Sequence, residues 1–160
     1  MKPNRLLTRA TFLQLGVGTA CALILREANA AGPLVMVVAK TSSLKAVSLQ
    51  DLQRLYRGDI NTLQGQRMLP LNHLPRSEPR EHFDQRVLGM NAEETARYWI
   101  DRRIRGQSGA PKSVPARLMA AVVAKLPNSI GYVSGGSADA ALAVLRVNGK
   151  LPGEPGYPIF

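Results

Sequence analysis

Blocks of apolar residues alternate with polar segments along this chain, and their spacing predicts strands and helices in turn. The continuous apolar run Leu34–Ala39 has the length of a strand that is buried on both faces. A capping box begins at Ser48, and the apolar residues after it recur at helical spacing until Gly58. A second strand is predicted at Arg67–Leu71 and a second helix at Pro79–Leu88. The first half of the chain therefore has the order strand, helix, strand, helix.

The second half continues this alternation. A capping box at Asn91 predicts a helix to about Arg105, in which Trp99 shares a face with small residues and is expected to be buried. The remaining predicted elements are a helix that Ser113 and Pro115 open and that runs through Lys125, a strand at Ile130–Val133, a short Ala-rich helical segment after Ser137, and a strand at Leu142–Val147. Strands that alternate with helices indicate an α/β fold, a mixed sheet with helices packed on its faces.

The first thirty residues have the pattern of an export signal rather than of a folded element. A basic start precedes an apolar run that is too short and too interrupted for a membrane span of roughly 20 residues. Ala28-Asn29-Ala30 is an A-x-A cleavage site, and the poor lipobox before Cys21 argues against a lipoprotein anchor. We therefore expect cleavage after Ala30 and a periplasmic or secreted mature chain without a transmembrane span.

The remaining chain has the length and charge of one basic domain. That domain is predicted at residues 31–148, and half of the residues in the tail that follows, Gly149–Phe160, are Gly or Pro. Removing the signal takes away four Lys or Arg and one Glu, which leaves 17 basic and 10 acidic residues, a net charge of +7. Such a domain suits an anionic ligand, an anionic envelope surface, or simply solubility. Its basic residues are scattered rather than clustered with aromatics, so nucleic acid is not an expected partner.

The segment between the second strand and the second helix carries the candidate binding residues. Arg76 and Arg80 bracket the predicted start of the helix, and Ser77 is placed to cap it. The first backbone N–H groups of a helix have no partners within it, so this loop could receive an oxyanion such as phosphate or sulfate. The alternative is that Ser77 caps, Pro79 occupies the first helical position, and both arginines are solvated.

No arrangement of residues in the sequence indicates catalysis or a metal centre. His73 and His82 are the only histidines, without spaced carboxylates around them, so neither a metal nor a cofactor is expected. The sequence contains no Walker loop, no dinucleotide-binding glycine pattern and no serine elbow. The sequence therefore does not predict an enzyme.

Taken in order, five segments resemble one family. They are LVMVVA from Leu34, SLQDLQRLYRGDI from Ser48, LPLNHLPRSEPREHF from Leu69, the helix with Tyr98 and Trp99, and PNSIGYVS from Pro127. Their order resembles the second lobe of the phosphate-binding proteins that serve ABC importers, which have a type II periplasmic binding protein-like fold. The resemblance implies a single lobe of that fold, with a mixed sheet flanked by helices, phosphate as a ligand and an ABC permease as a partner.

The resemblance also implies which residues bind the ligand. The family's ligand loop reads R-S-D-G-S-G-T, and this chain matches it at Arg76 and Ser77, while Glu78 replaces the aspartate. The small residues that follow are replaced, and Arg80 is one of the replacements. Arg76, Ser77, Glu78 and Arg80 are therefore the expected ligand-binding residues. Because only one of the family's two lobes is matched, the lobe binds weakly, pairs with a second lobe or a dimer mate, or no longer binds phosphate.

Two functions remain open from the sequence. The first is an exported binding module for phosphate or another small oxyanion. The alternative is an envelope interaction protein that kept the fold and lost the ligand. In that alternative the basic surface and the end of the tail, with Tyr157, Ile159 and Phe160, dock a partner.

Overall fold

The computed structural model describes residues 33–159, and a mixed sheet lies at their centre. The strands within residues 33–159 are β1 (Leu34–Ala39), β2 (Ala46–Val47), β3 (Thr62–Leu63), β4 (Gln66–Arg67), β5 (Leu69–His73), β6 (Lys112–Val114), β7 (Ser129–Ser134), β8 (Leu142–Val144) and β9 (Arg146–Val147). The helices are α1 (Leu49–Tyr56), α2 (Glu78–Phe83), α3 (Ala92–Ile104) and α4 (Ala116–Lys125), with a π-helical turn at Asp84–Leu88 and a 3-10 turn at Gly135–Ser137. The predicted α/β class, a mixed sheet flanked by helices, is confirmed. The predicted signal peptide lies outside the described residues.

The main sheet has five strands in the order β6-β5-β7-β1-β8. β1 runs antiparallel to both β7 and β8, whereas β5 runs parallel to both β6 and β7. His73 at the end of β5 pairs with Val114 at the end of β6. The carboxyl ends of these two strands therefore meet at one edge of the sheet, and the segments that follow them start there.

The alternating side chains of β1 divide the core between the two faces of the sheet. Leu34, Met36 and Val38 point into a cluster with α1, the π-helical turn and the C-terminal tail. Val35 and Val37 point into a second cluster with α4. A strand buried on both faces was the expectation for this apolar run, and every residue of β1 is buried.

The fourth helix begins later than predicted. Ser113 does not cap it: residues 112–114 form β6, and α4 begins at Ala116. The residue before a proline is restricted to extended backbone, so Val114 before Pro115 continues a strand and pairs with β5. Gly131 of β7 then allows α4 to pack closely, because a Cβ there would lie 2.9 Å from both Met119 and Val123.

Other element boundaries also differ from the predictions. The strand predicted from Arg67 is split between the short β3–β4 ladder and β5, and the second helix becomes α2 followed by the π-helical turn. No helix forms at residues 138–141, because four residues are too few to offset the free-energy cost of helix nucleation. The last predicted strand is interrupted at Leu145, whose N–H donates to the Met36 carbonyl before β9 turns to pair with β2.

The C-terminal tail packs into the core instead of facing a partner. It has no regular element, as predicted, but Tyr157 and Ile159 are almost fully buried in the cluster that contains Leu34 and Met36. The Tyr157 hydroxyl donates a hydrogen bond of 2.9 Å to the Leu34 carbonyl, which ties the tail to the first strand. The interpretation of Tyr157 and Ile159 as docking residues is therefore wrong, and Phe160 lies outside the described residues.

Candidate functional site

A cleft of about 510 Å³ opens beyond the carboxyl end of β5, between α2, α3 and the chain that leads into β6. Its polar lining residues are Arg76, Arg80, Glu81, Asp84, Glu93, Thr95, Trp99 and Ser113. Segments that follow the carboxyl ends of parallel strands commonly build ligand sites in open α/β sheets. The cleft therefore lies where the topology favours a ligand.

Arg80 is the more deeply buried of the two arginines that line the cleft, with 7% of its surface exposed. Its Nε donates to Asp84 Oδ2 at 2.6 Å, and its Nη1 donates to the His73 carbonyl at 3.3 Å. Asp84 follows Arg80 by one helical turn, so the pair forms within one continuous segment. These bonds fix the guanidinium at the end of β5, where it faces the cleft.

Three polar atoms beside this ion pair are buried and lack a hydrogen-bond partner of ordinary geometry. They are Asp84 Oδ1, Thr95 Oγ1 and Trp99 Nε1, and all three residues line the cleft. Burial raises the pKa of the Asp84 carboxyl, whereas the Arg80 charge and the nearby Thr95 hydroxyl lower it in part. Thr95 is thus close enough to favour the ionised carboxylate, but no hydrogen bond of ordinary geometry joins the two side chains. Buried polar atoms of this kind are usually paired, so unpartnered atoms in three residues of the cleft lining are an unusual feature of this wall.

A buried aromatic and polar network supports the cleft from below. The Tyr132 ring stacks on Phe83 at 4.1 Å, and its hydroxyl donates to Asn72 Oδ1. His73 places Nε2 2.8 Å from the Tyr132 carbonyl. Burial lowers the pKa of His73, the hydrogen bond with the Tyr132 carbonyl raises it in part, and the charge of Arg80 lowers it. All four residues of this network are buried, and the hydrogen bond from Arg80 to the His73 carbonyl connects the network to the cleft.

The predicted binding residues divide into two pairs. Arg76 and Arg80 both line the cleft, whereas Ser77 and Glu78 lie outside its lining. Arg76 is exposed and has a φ of 63°, a left-handed conformation that turns the chain into α2. Ser77 occupies the N-cap position but does not cap with its side chain, because its hydroxyl donates to the Leu74 carbonyl at 2.7 Å.

The start of α2 offers few free amides to an anion. Pro79 has no N–H group, and the amides of Arg80 and Glu81 both donate to the Ser77 carbonyl. The predicted arrangement, in which both arginines point toward free amides at the helix start, is therefore not formed. Arg80 turns instead toward Asp84 and the cleft.

Sequence reasoning missed Asp84, Thr95 and the role of Trp99. Trp99 shares its face with Ala92, Thr95 and Ala96 as predicted, but that face lines the cleft and leaves the indole only half-buried. The spacing of Arg80 and Asp84, four residues apart in a helix, was a signal for the ion pair. No local signal connects Thr95 with Asp84, because their contact depends on how α3 lies against the π-helical turn.

Three further observations concern the described residues. A second cleft of about 600 Å³ lies beside the start of β5, but its charged lining residues, Asp59, Arg67 and Lys112, are all exposed. Across residues 33–159 no three His, Cys, Asp or Glu side chains lie close enough together to hold a metal ion. None of the helices in that range has both the length and the apolar character needed to cross a membrane.

Comparison with known proteins identifies the fold. No protein-family model matches this sequence, and no curated protein matches it either. Among solved structures, the chain is similar to a phosphate ABC transporter substrate-binding protein from Clostridium perfringens, solved with bound phosphate, at 19% identity and a TM-score of 0.60, over 75% of this chain and 46% of that one. An ABC-type phosphate transport receptor from Vibrio cholerae matches at 16% identity and a TM-score of 0.61, over 75% and 48% of the two chains. PstS from Borrelia burgdorferi matches at 18% identity and a TM-score of 0.59, over 75% and 49%.

The chain spans about half the length of each of these three structures. At such low identity the similarity concerns the fold. The resemblance noted from the sequence is confirmed at that level: the chain has a periplasmic binding protein-like fold, the fold of these phosphate-binding proteins.

Proposed function

We propose that this chain is a binding module that holds phosphate or a similar small oxyanion in the cleft beside α3. The buried Arg80 guanidinium, held at the cleft by Asp84 and the His73 carbonyl, carries the proposal. Arg76 lines the same cleft and supplies a second guanidinium near its rim. A protein of similar fold, solved with bound phosphate, supports the choice of ligand class.

The cleft residues supply both hydrogen-bond donors and a hydrogen-bond acceptor for such a ligand. Arg80, Arg76 and Trp99 Nε1 would donate to its oxygens, since oxyanion oxygens accept. Asp84 Oδ1 can only accept while it is ionised, so it would pair with an O–H group of the ligand. Thr95 Oγ1 can do either. This set favours an oxyanion that carries a proton, such as phosphate near neutral pH, over sulfate.

The charge of the lining predicts weak binding. Two guanidiniums face three carboxylates, because Glu81, Asp84 and Glu93 all line the cleft. The Arg80–Asp84 ion pair has no net charge, so the charge of Arg76 is opposed by Glu81 and Glu93, which are exposed and repel an anion. We expect a dissociation constant in the millimolar range for a cleft that one lobe leaves open to water.

The sequence pattern and the share of its structural neighbours that the chain spans support a proposed location and partners for this module. The basic, apolar and A-x-A segments of the first thirty residues support export to the periplasm or beyond. Because the chain spans about half of its structural neighbours, a second lobe or a dimer mate would complete the cleft. An ABC permease is the receptor that the transport neighbours suggest for the loaded module.

Thermal unfolding with added phosphate tests the binding site. Ligand at tenfold its dissociation constant stabilises by about 1.4 kcal/mol, which raises the melting temperature by roughly 3–8 °C for a domain of this size. Trp99 is the only tryptophan and lines the cleft, so its fluorescence should change over the same phosphate concentrations. Arg76→Gln and Thr95→Val, which keep the Arg80–Asp84 pair intact, should each weaken both responses.

Arg117→Gln is the matched control, because Arg117 is an exposed arginine on α4, outside the cleft lining. It should leave both responses unchanged, and chloride at equal ionic strength should produce neither. A shift that survives Arg76→Gln combined with Thr95→Val would contradict the site. Equal melting-temperature shifts with phosphate and sulfate would support the cleft as the binding site but would contradict the role proposed for Asp84.

The second candidate function is an interaction protein that kept the fold and lost the ligand. One observation favours it: Ile100 and Ile104 of α3 are 59% and 78% exposed, one helical turn apart. Absence of any phosphate response in the experiment above would select this function.

A further inference from the structure

Most of the surface of α3 is exposed to solvent. Thr95 is its one buried residue, and nine of its thirteen residues are exposed. Helices of this length are marginal in water and normally depend on a buried apolar face. The outer face of α3 instead presents Ile100 and Ile104 to solvent.

The inner face of α3 is held firmly, so the outer face has a fixed orientation. Arg102 Nη1 donates to Asp59 Oδ1 and Nη2 donates to the Gly58 carbonyl, both at 2.9 Å. The Tyr98 hydroxyl donates to the Arg57 carbonyl at 3.0 Å. These contacts attach the carboxyl-terminal half of α3 to the end of α1 and leave the isoleucines outside.

The residues of the outer face form one stripe. Glu93, Arg97, Ile100 and Ile104 follow one another at spacings of four, three and four residues, which places them on one side of a helix. The charges along α3 change sign: the first turn is acidic, and the last turn is basic. The helix dipole accounts for that order of charges, but it does not account for two exposed isoleucines.

We propose that the outer face of α3 is a docking surface for the same helix of a second copy of this chain, in an antiparallel arrangement. A two-fold axis between Tyr98 and Trp99 brings Arg97 opposite the partner's Ile100 and Glu93 opposite the partner's Ile104. Each isoleucine then packs on the aliphatic stem of a charged side chain, and each acidic helix start lies beside a basic helix end. The stripe is complementary to itself.

The balance of charges argues against an anionic membrane or an acidic protein as the occupant. Glu93, Glu94 and Asp101 offset Arg97, Arg103 and Arg105 on the exposed parts of α3 and its end, so the surface has no net charge to attract an anionic membrane or an acidic protein. A single helix pair buries less area than a stable interface needs, so the dimer forms only at high protein concentration. Glu93 and Ala96 also line the cleft, and the second copy would therefore extend along its rim. The proposal stands whether or not the cleft binds an oxyanion.

Sedimentation equilibrium of the purified protein over a range of concentrations tests this surface. We expect a monomer at low concentration and a dimer as the concentration approaches about 1 mM, the weak end of specific association. Ile100→Asp should weaken the dimer at least about tenfold, because it places a charge at the centre of the interface. Leu118→Asp is the matched control, since Leu118 is an exposed apolar residue on α4, and it should leave association unchanged.

Charge exchange tests the antiparallel register. Arg97→Glu places like charges beside the partner's Asp101 and should weaken the dimer, and adding Asp101→Arg should restore it. Circular dichroism and the melting temperature check that each variant is folded. A monomer at every concentration, a dimer that Ile100→Asp leaves intact, or equal dissociation by Leu118→Asp would overturn the proposal. A dimer that Ile100→Asp disrupts but that the double charge exchange fails to restore would overturn the register.

Discussion

At the residue scale, the site depends on a buried ion pair. Arg80 and Asp84 form an ion pair with almost no exposure, and the pair is tied to the backbone at His73. Removing one partner of such a pair leaves an uncompensated buried charge, which commonly costs about 3–5 kcal/mol. This is why the binding test uses Arg76 and Thr95 rather than Arg80. Loss of Arg80 would destabilise the fold, and that effect would mask any effect on binding.

His73 makes the stability of the fold dependent on pH. Its pKa in the folded protein is lowered from the usual 6.5, mainly by burial, so the unfolded chain takes up a proton at a higher pH than the native protein does. The contribution of His73 to stability is therefore fully present above pH 6.5, and it is lost as the pH falls through that value toward the pKa of the folded protein. We expect the melting temperature to fall between about pH 7 and 5, and His73→Gln to reduce that slope.

His82→Gln is the control for this prediction. Burial also lowers the pKa of His82, so this variant should reduce the slope in the same direction, but by less because the side chain is more exposed. Asp84 acts in the opposite direction, since its raised pKa favours the folded state as the pH falls. Both comparisons retain Asp84, so its contribution cancels. A slope that His73→Gln leaves unchanged would show that the ring is accessible to protons.

The sequence predicted individual residues only where the local pattern determines their environment. Arg76 and Arg80 were found because they flank a loop, and both line the cleft. The burial of Arg80 and the partial exposure of Trp99 could not be found, because each depends on the position of α3 relative to α2. A helical face of small residues with one tryptophan is the same pattern whether it meets a core or a cleft.

At the element scale, three residues occupy N-cap positions of the kind that sequence rules describe, but only two of their side chains cap. Ser48 accepts a hydrogen bond from the Asp51 amide, and Asn91 accepts from the amides of Glu93 and Glu94 in a full capping box. Ser77 has the same residue type and the same extended backbone, yet its hydroxyl is bonded to Leu74. The position of an N-cap was therefore predictable, whereas the partner of its side chain was not.

This difference predicts unequal costs of substitution. Asn91→Ala should lower the free energy of unfolding by about 1 kcal/mol, because it leaves two amides of α3 without an acceptor. Ser77→Ala should change it by less than about 0.5 kcal/mol, since it removes one exposed hydrogen bond and no cap. Urea unfolding followed by circular dichroism measures both. Equal costs for the two variants would indicate that Ser77 caps α2 in solution.

At the scale of the whole molecule, two apolar clusters on opposite faces of one sheet hold the fold together. The order of elements was predictable, because each helix or strand carries its own periodicity and boundary signals. The burial of chain segments without periodicity was not predictable, and the tail is the main example. Its Gly and Pro residues give it no regular element, so nothing in its pattern indicated burial. Tyr157 and Ile159 nevertheless complete the cluster that contains β1, which makes this part of the tail a component of the core.

The tail is therefore expected to stabilise the whole domain. Tyr157→Ala removes a buried ring and should lower the free energy of unfolding by roughly 3–5 kcal/mol, as truncation of buried aromatic residues does. Tyr157→Phe keeps the ring and loses the hydrogen bond to the Leu34 carbonyl, which should cost about 1 kcal/mol. Burial raises the pKa of the Tyr157 phenol to about 12, so the hydroxyl keeps its proton throughout the accessible pH range. Lys150→Ala is the control, because Lys150 is an exposed side chain at the start of the same segment, and its loss should be neutral. Urea unfolding measures all three. A Tyr157→Ala variant as stable as Lys150→Ala would mean that the tail leaves the core in solution, and the end of the chain would again be available to a partner.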